Sequence, residues 1–171
     1  MARADVAARD LLARYGIDEP PIVPEHLAEK LGVVVVRQEM KGDVSGMLLR
    51  REEQRVIGVN ESHGSQRQRF TVAHELGHLL LHRGRPLILD TQIRVNLRDT
   101  VSSMATDREE IEANRFAAAL LAPESMVRRE VRKVQFETVD DLVAQLANRF
   151  DVSRTAMNYR LLNLGVISDP I

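Results

Sequence analysis

The sequence predicts an α+β fold: a small N-terminal sheet of about three strands packed on one central helix, followed by a mostly helical C-terminal part. Three observations predict it. Residues 33–36 are an unbroken β-branched run, and residues 44–49 and 55–59 flank the polar stretch 50–54 as the arms of a hairpin would. Residues 69–82, RFTVAHELGHLLLH, carry an apolar stripe at helical spacing. From residue 107 onward the apolar positions again recur at helical spacing, in four successive segments.

Taken in order, residues 2–15 read as an amphipathic helix with Val6, Leu11, Leu12 and Tyr15 apolar and Gly16 as its stop. Pro20, Pro21 and Pro24 then break the chain, and Pro24 opens a second helix that Gly32 ends. The valine run 33–36 predicts a buried strand, and Gly42 and Asp43 mark the turn before the hairpin. Residues 60–68 are polar and contain Gly64 and His63, so they predict a solvated loop leading into the central helix, which Gly84 and Pro86 end. Residues 87–105 lack periodicity and predict at most one short strand near 93–97, in a lid or a plain connection. Thr106-Asp107-Arg108-Glu109 has the form of a capping box and predicts a helix over 107–121, closed by Pro123. A charged helix over 124–134 follows, then two more over 138–148 and 153–164 around the turn at Asp151.

Composition narrows the function classes. The chain has 171 residues, 44% hydrophobic and 29% charged, which suits one soluble globular unit with a real core. We expect residues 1–137 to form that core and residues 138–171 to be a helical pair packed on it. A net charge of −1 makes no electrostatic case for nucleic acid or an anionic membrane. No run approaches the roughly 18 apolar residues of a membrane span, and the charged N-terminus lacks the apolar core of a secretory signal. The cytoplasm is therefore the expected compartment. With no cysteine in the chain, disulfides and thiolate metal sites are excluded.

The central helix carries the chemistry. His74-Glu75-Leu76-Gly77-His78 has the spacing HExxH. Residues four apart in a helix lie about 40° apart around its axis, so both imidazoles point one way and can hold one metal ion at about 2.0–2.1 Å. Glu75 points about 100° away, beside the ion rather than onto it, where a general base for an attacking water belongs. Val72, Ala73, Leu76, Leu79 and Leu80 make the apolar face. The blander reading is a core helix with two incidental histidines, but two imidazoles on one face of a buried helix need satisfied partners.

A catalytic zinc site takes three protein ligands. A third histidine six residues after His78 would complete one common pattern, but that position is Gly84. His82 continues the series, yet three successive turns of one helix converge poorly on a single ion; it is better placed to cap the helix or sit near the cleft. The acidic start of the next helix is the better source. On a helical wheel Asn114 and Ala117 fall close to either side of Glu110, whereas Glu112 falls on the nearly opposite side. Glu110 thus shares a face with small residues, and Asn114 could hydrogen-bond a ligating histidine from behind. Glu112 reads as a solvated or paired surface charge and Glu109 as the capping residue. Glu110 is favoured over both as the third ligand.

Two blocks, RQRFTVAHELGHLLLH and EEIEANRFAAALLAP, strongly resemble the ImmA/IrrE family of bacterial metallopeptidases. The similarity covers roughly residues 45–123, with a looser echo in the C-terminal helices. It implies a zincin-like fold with a gluzincin-type site, His74, His78 and Glu110 as metal ligands, and Glu75 as catalytic base. The family's glutamate ligand stands four residues before an Asn or Asp, which again selects Glu110. The expected cofactor is Zn2+, although a His-His-Glu site would also accept manganese or iron. The resemblance further implies cleavage of a helix-turn-helix repressor of the XRE or phage type, which would derepress an operon. The chain resembles the minimal peptidase form, so that repressor is expected to be a separate polypeptide.

Two rival readings compete. The segment 142–165 has helix-turn-helix rhythm, and Ser153 could cap a recognition-like helix. However, residues 138–171 hold three Arg, no Lys and four Asp, a poor balance for phosphate contacts that makes direct nucleic-acid binding unexpected. Leu142, Leu146, Phe150, Met157, Leu161 and Leu164 instead predict a face packed on the catalytic part. The second rival is an anti-repressor that sequesters its transcription factor without cutting it; the intact HExxH argues against that.

Overall fold

The computed structural model describes residues 2–41, 44–51, 54–82, 87–91 and 100–168, with 87–91 and 100–106 described as backbone. Among the described residues, helices and strands follow in the order α1 (Arg3–Arg14), α2 (Pro24–Lys30), β1 (Val33–Gln38), β2 (Val44–Arg50), β3 (Arg55–Asn60), α3 (Ser65–Leu81), β4 (Leu87–Thr91), α4 (Thr100–Leu121), α5 (Glu124–Val131), α6 (Val139–Phe150) and α7 (Arg154–Asn163). The architecture is α+β, with the sheet beside the HExxH helix α3 and a helical part from α4 onward.

The sheet order is β1-β3-β2-β4. β2 and β3 form the expected hairpin, antiparallel with Arg50 opposite Arg55, closed by hydrogen bonds between Arg51 and Gln54. β1 runs parallel to β3, and β4 runs antiparallel to β2 with an irregularity near Val44 and Gly46. One expectation needs correction here. The valine run was expected to be buried, but β1 is an edge strand: Val33 is buried, whereas Val34 and Val36 are 52% and 40% exposed. Four β-branched residues fit an extended strand on either kind of surface, so composition alone does not report which face is covered. The sheet also has a fourth strand at Leu87–Thr91, upstream of the expected one, and the stretch 93–97 lies outside the described residues.

α3 packs one face on β2 and β3 and another on α4, with α1 and α2 also against it. Val72 and Leu76 of α3, Leu48 and Ile57 of the sheet, and Phe116 and Leu120 of α4 belong to one buried cluster. Full burial of each such side chain contributes about 1.5–3 kcal/mol. α3 begins at Ser65, a turn earlier than expected, because its first turn is polar and solvent-facing and carries no apolar signal. α4 begins at Thr100, so the expected capping box at residues 106–109 lies inside the helix rather than at its start. Thr and Asp cost only about 0.5 kcal/mol each in a helix interior, so a local capping pattern does not by itself force an end.

Two glycines permit the close approaches around α3. A Cβ on Gly46 of β2 would lie 2.3 Å from Thr71 Cγ2, and one on Gly77 would lie 3.1 Å from both Ala113 Cα and Phe116 Cδ1. Larger residues at either position would push the sheet or α4 away from the HExxH helix.

The C-terminal helices follow their local signals. Thr138 and Ser153 cap α6 and α7 by accepting from Asp141 N and Ala156 N, both at 3.1 Å, each worth about 1 kcal/mol. Asp151 turns the chain between them with φ 51°. Leu142, Leu146, Phe150, Met157 and Leu161 are buried in the same cluster as α3 and α4, with Leu164 packed at its margin.

Glu130 ties α5 to α6. It is buried, accepting from Lys133 Nζ at 2.8 Å and from Arg149 Nε at 3.3 Å. The Lys133 hydrogen bond lowers its pKa below the ordinary 4.5, burial pulls the other way, and Arg149 adds to the lowering. Glu130→Gln should cost about 1–2 kcal/mol of unfolding free energy at neutral pH. A carboxyl whose folded-state pKa is depressed stabilises fully above its unfolded value and loses that contribution as pH falls through the folded one. The gap between wild type and variant in thermal melts should therefore narrow on acidification below about 4.5. A gap independent of pH would remove the ionic part of this account.

Candidate metal centre

His74 and His78 lie one turn apart on α3 with side chains only 3% and 1% exposed. Their rings meet edge to face, with centroids 4.7 Å apart, and their Nε2 atoms are 3.0 Å apart. Glu110 of α4 reaches the same point: Oε2 is 3.1 Å from His74 Nε2, and Oε1 is 3.1 Å from His78 Nε2. Among the described residues these three form the group of His and carboxylate donors that could hold a metal ion, with donor atoms within 4.8 Å of one another. The Gly77–Ala113 contact is what lets α4 come near enough for a glutamate to bridge the gap.

The donor chemistry fits a tetrahedral cation. Bonds of about 2.0–2.1 Å place tetrahedral ligand atoms about 3.3–3.4 Å apart, close to the separations seen here. The outer nitrogens are occupied as well: His74 Nδ1 is 3.0 Å from Asn114 Oδ1, and His78 Nδ1 is 3.0 Å from His82 Nδ1. Rings that donate outward present lone pairs inward. Two such lone pairs and a carboxylate gathered at one point are electron-rich, and a divalent cation is the partner that satisfies them together. Burial alone would raise the Glu110 pKa, but the two imidazoles beside it outweigh that and hold the carboxyl well below its ordinary range, so it is the anionic member of the group.

Glu75 is fully buried with its carboxylate beside Gly46 of the sheet, and it is not one of the three donors of the His-His-Glu group. Its Oε1 would lie 3.3 Å from a Cβ on Gly46, so the glycine leaves room for this carboxylate as well as for Thr71. Arg50, at the end of β2, donates through Nη2 to the backbone oxygen of His78. Burial lowers the Arg50 pKa, and the charges of Glu109 and Glu75 oppose that.

The remaining residues weighed from sequence also find places. His82 is the C-cap of α3, and its Nε2 is 3.2 Å from Glu112 Oε2. With Nδ1 facing His78, both ring nitrogens are engaged, so this side chain is not a spare donor for the reaction. Burial lowers its pKa, against the raising effect of Glu112. Glu112 is a paired charge, as the sequence suggested, but its partner is a histidine of α3, with Arg3 Nη1 farther off at 4.0 Å. A helical wheel reports only the direction of the Cβ, and a flexible glutamate can reach beyond it. The signal available in the sequence was the regular four-residue spacing of His74, His78 and His82. His63 sits half-buried on the turn after β3, and Tyr159 is exposed on α7.

Comparison with known proteins shows a metallopeptidase family. The family profile for the IrrE N-terminal-like domain, peptidase M78, matches residues 28–162. The chain is 30% identical over 162 residues to the radiation response metalloprotease IrrE of Deinococcus deserti, covering 94% of this chain and 54% of that protein. It is 30% identical over 132 residues to the metallopeptidase ImmA of Bacillus subtilis, covering 76% of this chain and 70% of that one. A solved structure of a Mycobacterium tuberculosis transcriptional regulator superposes with a TM-score of 0.60 at 20% identity, over 95% of this chain and 47% of its own. That likeness shows the fold. The chain spans about half the length of the Deinococcus and mycobacterial proteins.

Proposed function

Because the chain belongs to the ImmA/IrrE family of metallopeptidases, we propose that it is a zinc-dependent endopeptidase acting on a helix-turn-helix repressor. The observation that carries the proposal is the convergence of His74 Nε2, His78 Nε2 and the Glu110 carboxylate on one point. These three residues would hold the ion. Zinc there would supply Lewis-acid activation of a water molecule and of the scissile carbonyl. Glu75 accepts the proton of the attacking water and passes it to the departing amine. Asn114 orients His74 from behind. Ionised Glu110 contributes the one negative charge among the three ligands.

A protein substrate in a regulatory response is supported by the relatives, a radiation response metalloprotease and a metallopeptidase. The C-terminal pair favours a protein partner over DNA. Arg149 is taken up by Glu130 and Glu19, Arg154 pairs with Asp140, and Arg160 is buried against Ala122 O at 2.8 Å. Phosphate binding would have to break those contacts first.

The direct test combines elemental analysis of the purified protein with incubation against helix-turn-helix repressors of the XRE type from the same genome. About one zinc per chain and a discrete repressor fragment whose appearance a chelator blocks is the expected result. A stoichiometric complex with uncut repressor, from zinc-loaded protein, would make the chain an anti-repressor instead.

A further inference from the structure

One histidine and one glutamate near the centre are not used by the mechanism above. His82 is 8% exposed, at the end of α3, and Glu112 stands on α4 just after Glu110. They stand in line with His78. Reading outward from the centre, His78 Nδ1 meets His82 Nδ1 at 3.0 Å, and His82 Nε2 meets Glu112 Oε2 at 3.2 Å.

The direction of each hydrogen bond follows from the outer end inward. An ionised carboxylate only accepts, so His82 must carry its proton on Nε2. A neutral imidazole protonated there offers a lone pair at Nδ1. The other atom in that contact, His78 Nδ1, must therefore be the donor. A neutral His78 protonated on Nδ1 is left with a lone pair on Nε2, which is the atom facing His74 and Glu110. His74 is held differently, by the amide of Asn114. The two rings of the HExxH motif thus have unequal backing: a neutral amide behind one, an imidazole with a carboxylate behind the other.

We propose that Glu112 and His82 form a positioning relay that fixes the tautomer and ring angle of His78 and so raises its affinity for the metal ion. This rests on the peptidase reading for the presence of the ion, but the hydrogen-bond logic uses this chain's atoms alone. His82 is a positioning residue and does not touch the ion. Outer partners of metal-binding histidines typically contribute about 10–100-fold in metal affinity, and the relay is expected to fall in that range.

The experiment measures zinc affinity by competition with a chromogenic chelator for wild type, His82→Leu, His82→Gln and Glu112→Gln. His82→Leu removes the acceptor and should weaken zinc binding by about 10–100-fold. His82→Gln keeps a carbonyl to accept from His78 and an amide to donate to Glu112, so it should recover most of that loss. Glu112→Gln should fall between wild type and His82→Leu. A nitrogen-15 NMR spectrum of the imidazoles in zinc-loaded wild type supplies the readout that plain packing would not move: His78 protonated at Nδ1 and His82 at Nε2. His82→Leu binding zinc as tightly as wild type would overturn the relay. His82→Gln falling as far as His82→Leu, or a spectrum with His82 protonated at Nδ1, would do the same. Wild type that binds no zinc at all would instead overturn the peptidase reading, and the relay with it.

Discussion

Glu75→Gln should bind metal like the wild type and lose about 10²–10⁴-fold in turnover, the usual contribution of a positioned general base. The glutamine is nearly the same size, so it fills the buried space beside Gly46 without strain. What it cannot do is take a proton from water. Metal content and KM should therefore change little, with the loss confined to kcat. Single-turnover cleavage with excess enzyme makes the comparison clean, because it separates the chemical step from product release. A variant that cuts at the wild-type rate would remove Glu75 from the mechanism, whatever its metal content.

Glu110→Ala should leave a protein that folds and loses its metal on dialysis. Glu110 is partly exposed at the site, and among the described residues it is not part of the buried apolar cluster. Its removal takes away the one charged donor of the three, leaving two neutral imidazoles that hold a divalent cation poorly. The affinity should fall by more than the ~10–100-fold that loss of an outer partner costs. Glu112→Ala is the matched control on the same helix. It should still carry close to one ion per chain at micromolar protein, with a weaker affinity that only competition reveals. The reverse ranking would move the third ligand from Glu110 to Glu112.

Much of the site was legible because it depends on short spacings within one helix. The four-residue interval of His74 and His78 sets their common direction in any α-helix, and Glu75 must then point elsewhere. The same applies to Glu110 and Asn114, four apart on α4, whose side chains do reach the two histidines. The hairpin and the caps of α6 and α7 are equally local, since turn and capping residues act within three or four positions.

What the sequence by itself determined, then, was the order of elements, the two helices that carry the His-His-Glu group and the faces they present. Only the tertiary structure decided the rest. That β1 is an edge strand with Val34 and Val36 in solvent follows from the sheet order, which no window of neighbouring residues encodes. That α4 starts at Thr100 is not set by the local capping pattern, since Thr and Asp cost only about 0.5 kcal/mol each in a helix interior. The contacts of Glu75 with the space beside Gly46, and of His82 with Glu112 30 residues away, exist because Gly46 and Gly77 admit the sheet and α4 against α3. Local sequence sets direction; which groups meet at the end of those directions is settled by packing, where a missing Cβ decides whether two elements can touch.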